Sequence, residues 1–177
     1  MESNGESEIV YLAIGSNLGP REANLVAAVE AIEADPATAV LAVSPIFETD
    51  PVGPGDQGCY LNAAIRIRTQ RSPEALLDLL QSIESAAGRD RSEVAPRWSA
   101  RTLDLDILFF GARCIARPGL SVPHPRAHER DFVLAPMVAL APEFEHPLLG
   151  RSMATLHAAV AGQGGVRPYT PPAGWPA

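Results

Sequence analysis

Apolar and polar positions follow one another along this 177-residue chain in short, readable blocks. Ile9 to Ile14 is an apolar run rich in β formers and bounded by Gly15-Ser16-Asn17, which predicts a buried strand. Pro20 is placed to open a helix, and Leu25, Val29 and Ile32 recur at helical spacing to about Ala34. Thr38 to Glu48 predicts a second strand, interrupted by Pro45, which puts an edge or a bulge there. The run TDPVGPGDQG, Thr49 to Gly58, holds two prolines and three glycines and predicts a loop. Tyr60 to Thr69 predicts a third strand, with Ile65 and Ile67 on one face and Arg66 and Arg68 on the other.

Ser72-Pro73-Glu74 is a helix start: a capping serine, a proline at the first position, and an acid near the positive end of the dipole. Leu76, Leu79, Leu80 and Ile83 form its apolar stripe, and Gly88 ends it. Arg89 to Arg101 is polar and irregular, whereas Leu103 to Phe110 is a strongly apolar strand that carries two aspartates. A Pro/His/Arg segment leads to helices expected over Phe132 to Leu140 and Ser152 to Ala161. The order strand, helix, strand, strand, helix, strand matches an α+β fold of the ferredoxin-like, split β-α-β kind. It predicts a mostly antiparallel four-stranded sheet, with the C-terminal helices covering its second face to give three α-β-α layers. The length fits a single domain over residues 1–177, with a core from about 8 to 161. The tail, 162–177, carries four prolines and four glycines and is expected to be loose.

Composition narrows the function. Hydrophobic residues at 46% and charged residues at 20% describe an ordinary globular protein. No apolar run approaches the roughly 18–20 residues that span a bilayer, and the acidic start does not read as a secretory leader. Cys59 and Cys114 lack metal-type spacing and read as reduced thiols, so a cytoplasmic location is expected. The net charge of −7 argues against a nucleic-acid partner, and neither a membrane partner nor an oligomer is expected. All 14 basic residues are arginine. Without lysine there is no Walker-type phosphate loop, no Schiff base and no protein-kinase strand lysine. Phosphate handling here falls to arginine forks, metal ions and backbone amides.

Asp104 and Asp106 stand two apart in a predicted strand, so both carboxylates share one face, about 6.5–7 Å apart along it. Leu103, Leu105 and Ile107 then take the core face. Two adjacent carboxylates repel and need a cation. Mg²⁺, held by one or two carboxylates plus water and substrate phosphates, suits them; salt bridges to nearby arginines are the alternative. Arg89, Arg91, Arg97 and Arg101 lie just upstream, with Arg126 and Arg130 downstream. They suit either a polyphosphate or a solvated loop. Metal site and arginines together make phosphoryl transfer from a nucleotide the natural reaction class. Tyr60, Trp98 and Phe132 serve as core rings or as stacking partners for a flat substrate. Asn62, on the face of Tyr60, offers an amide that can read a ring edge, and His124 can donate to a phosphate. His128, His146 and His157 have no paired spacing and read as structural or surface residues.

The segments YLAIGSNLG (Tyr11 to Gly19), TDPVGPGDQGCYLNA (Thr49 to Ala63), RWSARTLDLDILFFG (Arg97 to Gly111) and VPHPRAHERDFVLAPM (Val122 to Met137) resemble 6-hydroxymethyl-7,8-dihydropterin pyrophosphokinases, in order and spacing. The resemblance covers roughly Ile9 to Leu156. It implies an enzyme that moves pyrophosphate from ATP to the pterin hydroxymethyl group, releasing AMP, in folate synthesis. It implies that Asp104 and Asp106 hold two Mg²⁺ ions that arrive with ATP. Arg97 and Arg101 match catalytic arginines, and Arg89, Arg91, Trp98, Ile107, His124 and Arg130 match ATP contacts, with Glu84 a further candidate. Tyr60 and Phe132 match the rings that sandwich the pterin, Asn62 the amide that reads its edge, and Thr49, Asp50 and Val52 the rest of that pocket. Two features depart from the family pattern. SEVAP, between Arg91 and Arg97, is a residue or two longer than in some relatives, and Pro125 stands where some place a tyrosine. Two rival readings are a nucleotidyltransferase, suggested by Gly15-Ser16 followed by Asp-x-Asp, and a ferredoxin-like module that senses ATP or metal without turnover.

Overall fold

The computed structural model describes residues 6–51, 53, 57–88 and 102–176. Strand β1 (Glu8–Ser16) is followed by helix α1 (Arg21–Glu33), strands β2 (Thr38–Val43), β3 (Ile46–Thr49) and β4 (Tyr60–Thr69), and helix α2 (Pro73–Ala86). After strand β5 (Asp104–Phe110) come the short hairpin β6 (Ile115–Arg117) and β7 (Leu120–Val122) and helices α3 (Asp131–Leu140) and α4 (Met153–Val160). Strand β8 (Arg167–Tyr169) comes last.

The main sheet has six strands rather than the expected four, running β5-β1-β4-β3-β8 with β2 also paired to β4. Every pairing in it is antiparallel. Two causes account for the extra strands. The expected second strand divides at Ser44-Pro45, where proline cannot donate to the ladder, so β2 and β3 pair with opposite ends of β4. The tail, expected to be loose, instead lays β8 along β3 in the register Ile46↔Tyr169 to Glu48↔Arg167. It is fastened by Tyr169, whose hydroxyl donates to Glu22 at 2.5 Å, and by Trp175, whose indole donates to Ser44 O at 3.1 Å. Its prolines and glycines suppress helix, yet they leave an edge-pairing strand free to form.

Strand alternation feeds both faces. Val10, Leu12 and Ile14 of β1 point with Leu61, Ala63, Ile65 and Ile67 of β4 toward α1 and α2. There they meet Leu25, Val29, Ile32, Leu76 and Leu80. Tyr11 and Ala64 point the other way, to Leu134, Met137, Met153 and Leu156 of α3 and α4. Helices therefore cover both faces. In β5 the alternation holds for Leu105 and Ile107 and then breaks. The pairing skips a residue, with Ile107 opposite Leu12 but Phe109 opposite Tyr11. This bulge turns both Leu108 and Phe109 to the α3–α4 side and returns Phe110 to the α1–α2 side. Helix α2 starts as its sequence demands, Ser72 Oγ accepting from Ala75 N at 3.2 Å. Cys59 and Cys114 are free thiols. No helix among the described residues is long and apolar enough to cross a membrane.

Candidate active site

On the face turned toward α3 and α4, Arg66 and Arg68 lie toward one end of β4 and a polar row lies at the other. There the register sets three residues in a row across three strands: Asp104 of β5, Gly15 of β1 and Asn62 of β4. One step along, Asp106 stands opposite Ala13, which in turn stands opposite Ala64. Strands lie about 4.8 Å apart, so the carboxylate and the amide are held roughly 10 Å apart over a floor that has almost no side chains. Glycine at 15 is a steric requirement. A Cβ there would come within 2.8 Å of Asn62 Oδ1. Asn62, 8% exposed, donates Nδ2 to Thr49 Oγ1 at 2.8 Å, which fixes the plane of its amide.

A cavity of about 480 Å³ opens above this row. Its lining includes Thr49, Asp50, Tyr60, Asn62 and Phe132 together with Asp104, Asp106, His124 and Arg130. The expected pterin pocket and metal pair thus share one space. Ile107 lines a neighbouring cavity of about 280 Å³ together with Leu105, Leu120, Asp106 and His124. Val52, Arg89, Arg91, Arg97, Trp98 and Arg101 lie outside the described residues.

His124 follows the β6–β7 hairpin and is pinned to β5 by its backbone N–H, which donates to Leu108 O at 2.9 Å. Burial pushes its imidazole below the ordinary histidine range; Arg130 adds to this and Asp104 opposes it. Its Nδ1 accepts from Arg126 N at 3.2 Å, so in the neutral ring Nε2 carries the proton and can donate. Arg130 precedes α3, and its guanidinium carbon lies 5.5 Å from the centre of the Phe132 ring. Burial and Arg126 weaken its hold on the proton, while Asp106 and Asp104 strengthen it. An arginine remains charged throughout, so a fixed positive group faces the aspartate pair.

Glu84, the remaining ATP-contact candidate, lies near the end of α2. It is 1% exposed, and Oε1 accepts from Leu105 N at 2.7 Å, tying the end of α2 to the backbone between the two aspartates. Sequence reasoning overlooked several neighbours. Ser16 is buried, donates to Thr102 O at 2.5 Å and accepts from Asn24 Nδ2 at 3.2 Å, which locks the chain just before β5. Glu129 and Asp131 of the α3 approach, and Gln163 and Gly164 of the tail, also line the cavity. Of these, Gly15-Ser16 had a signal, the break after an apolar run; the tail residues had none. His157 is not free at the surface, since its Nε2 lies 2.8 Å from Asp131 Oδ1. His146 is buried edge-on against Phe109.

The aspartates suit a metal that is delivered with its substrate. No cluster of three or more His, Cys, Asp or Glu suited to a metal occurs among the described residues. Two carboxylates on one strand face, at a cavity wall beside a fixed arginine, match a hard cation that completes its shell with water and phosphate.

Comparison with known proteins agrees. Residues 11–142 match the family model of 7,8-dihydro-6-hydroxymethylpterin-pyrophosphokinase (HPPK). The 2-amino-4-hydroxy-6-hydroxymethyldihydropteridine pyrophosphokinase of Bacillus subtilis is 48% identical over 139 residues, 78% of this chain and 81% of the relative. The enzyme of the same name from Pseudomonas aeruginosa is 44% identical over 155 residues, covering 88% and 93%. A crystal structure of Plasmodium falciparum HPPK-DHPS shares the fold, with a TM-score of 0.70 at 16% identity over 89% of this chain. This chain spans 45% of that longer one. The motifs, the shared cavity and a match through most of the length lead to one assignment: this chain belongs to the 7,8-dihydro-6-hydroxymethylpterin-pyrophosphokinase family.

Proposed function

We propose that the chain transfers a pyrophosphoryl group from ATP to the hydroxyl of 6-hydroxymethyl-7,8-dihydropterin, releasing AMP, as a diphosphokinase of folate biosynthesis. The observation that supports this is the row Asp104–Gly15–Asn62, which sets a carboxylate and an amide in the wall of one cavity, with Asp106 one step along. Tyr60 and Phe132 bind the flat ring between them; Asn62, fixed by Thr49, reads its edge, and Asp50 borders it. This holds the hydroxymethyl oxygen toward the aspartates. That oxygen forms a bond to the β-phosphorus as the bond from β-phosphorus to the α-bridging oxygen breaks. The hydroxyl proton leaves to solvent, and AMP departs with the electron pair.

Asp104 and Asp106 hold Mg²⁺, two ions that arrive with ATP. Bound there, the metal neutralises phosphate charge as it develops. Arg130 supplies fixed positive charge, and His124 donates Nε2–H to a phosphate oxygen. Arg97 and Arg101 take catalytic roles, and Arg89, Arg91, Trp98 and Ile107 contact ATP. Glu84 acts at one remove, by holding Leu105. There is little covalent work for the protein, so positioning and electrostatics dominate. We propose a ferredoxin-like core to which β2 and β8 are added, a reading that the path β5-β1-β4-β3 supports. We also propose a single catalytic domain acting as a monomer in the cytoplasm, with neither nucleic acid nor membrane as partner; the net charge of −7 supports the exclusion of nucleic acid.

The test is to incubate the purified protein with MgATP and the pterin and to separate the nucleotides by chromatography. AMP that appears only with pterin is the expected result. Release of pyrophosphate would mean a nucleotidyltransferase, and bound ATP without turnover would mean a sensor.

A further inference from the structure

The two rings assigned to the pterin sit on separate elements, Tyr60 at the start of β4 and Phe132 in the first turn of α3. Their spacing needs something to set it. Residues 162–167 run between the two walls and are bonded to both.

At the Phe132 wall, Asp131 is buried; its Oδ2 accepts from Gly162 N at 2.8 Å and its Oδ1 pairs with His157 Nε2 at 2.8 Å. At the Tyr60 wall, Asp50 N donates to Gly164 O at 3.2 Å. Arg167 then joins the two ends of the intervening loop. It donates to Asp50 Oδ1 at 3.1 Å, to Cys59 Sγ at 3.4 Å and to Glu48 Oε1 at 2.9 Å. The same guanidinium donates to Gly165 O at 2.9 Å, which closes the strap on itself. Gly165 sits at φ +67°, and a Cβ there would collide with the Asp50 carboxylate. Between the anchors, Gln163 and Gly164 face the cavity. Residues 162–167 themselves lie beyond residue 142, where the match to the family model ends, although their anchors lie within it.

We infer that residues 162–167 form a strap that sets the gap between the Tyr60 and Phe132 walls, with Arg167 as a positioning residue for the pterin. The inference rests on the pyrophosphokinase reading of the cavity. A single exposed ion pair contributes little. Here one guanidinium holds two carboxylates and a thiol on the two stretches of chain that flank the loop, so its loss loosens the pocket wall as a unit. The strap's hydrogen bonds described above go to Glu48, Asp50, Cys59 and Asp131, none of which is assigned to ATP.

Steady-state kinetics of the full-length chain, with amide hydrogen exchange alongside, test this. Arg167→Ala is expected to raise KM for pterin about five- to tenfold while KM for ATP and kcat change less than twofold. Arg167→Lys recovers part of the loss, because it keeps the charge without the fork. Gly165→Ala, which pushes on Asp50 from the strap side, reproduces the same split. In Arg167→Ala, exchange quickens at the Asp50 amide and not in α1 or α2. Unchanged pterin KM in both folded variants overturns the inference, as does an equal rise in both KM values. Should the unaltered chain make no pterin-dependent AMP, the reading of the cavity fails instead, and unchanged exchange at Asp50 in Arg167→Ala then overturns the strap by itself.

Discussion

The two faces of the central sheet are built from the same strands and behave as different materials. Under α1 and α2, Val10, Leu12 and Ile14 of β1 and Leu61, Ala63, Ile65 and Ile67 of β4 are aliphatic and buried in one core. Toward α3 and α4 the same strands present Tyr11, Ala13, Gly15, Asn62 and Ala64. Aromatic packing closes one end, where Tyr11, Phe109 and Phe144 meet at centroid distances of 4.7–6.5 Å. The other end is left open over small and polar side chains. The first face supplies stability and the second supplies chemistry. Alternation lets one strand serve both, because substitutions on one side need not disturb the other.

Breaking either face has a distinct expected outcome. Asp106→Ala, on the open side, should lower turnover by at least about a hundredfold, with circular dichroism unchanged, because it removes a carboxylate from the metal pair. Near-normal activity in the folded variant would sink the metal assignment. Leu12→Ala, on the closed side and fully buried, should cost about 2–5 kcal/mol in urea unfolding. At temperatures where that variant stays folded, pterin KM should hold near its original value.

Gly15→Ala probes the seam between the faces. Its Cβ must displace the Asn62 amide, so pterin KM should rise about tenfold while KM for ATP moves little. Equal effects on both substrates would place Asn62 outside the pterin pocket. The smallest effect belongs to a polar cluster remote from the cavity. Arg71 binds Asp35 through both oxygens, at 2.6 and 2.8 Å, and holds its carboxyl down at about 2, from 3.8. A depressed carboxyl stabilises the fold above its unfolded value. That contribution, on the order of 1–2 kcal/mol, should fade as pH falls from about 4 toward 2. Arg71→Ala should flatten this dependence in urea unfolding measured at pH 5 and pH 3.

Much of this was legible in the chain. The strand from Tyr60 to Thr69, the helix opened by Ser72-Pro73 and the aspartates two apart on one strand all follow from local rules of period and capping. The break at Pro45 was also visible, although the pairing of both halves with β4 was not. Glu84 entered through the resemblance alone, and its bond to Leu105 N depends on the arrival of β5, which no local rule foretells.

What the sequence by itself determined is β1, α1, β4, α2, β5 and the placing of Asp104 and Asp106 on one strand, since period and capping depend on residues close in the chain. Tertiary structure alone decided the rest. It brought Asp104, Gly15 and Asn62 into one row, because register between strands is set by the whole packed sheet. It shifted Leu108 and Phe109 onto one side through a bulge that no alternation foretells. It also turned a tail rich in proline and glycine into β8 and a wall of the cavity. Edge pairing is backbone chemistry, open to almost any sequence that reaches an unpaired strand, and composition therefore carries no record of it.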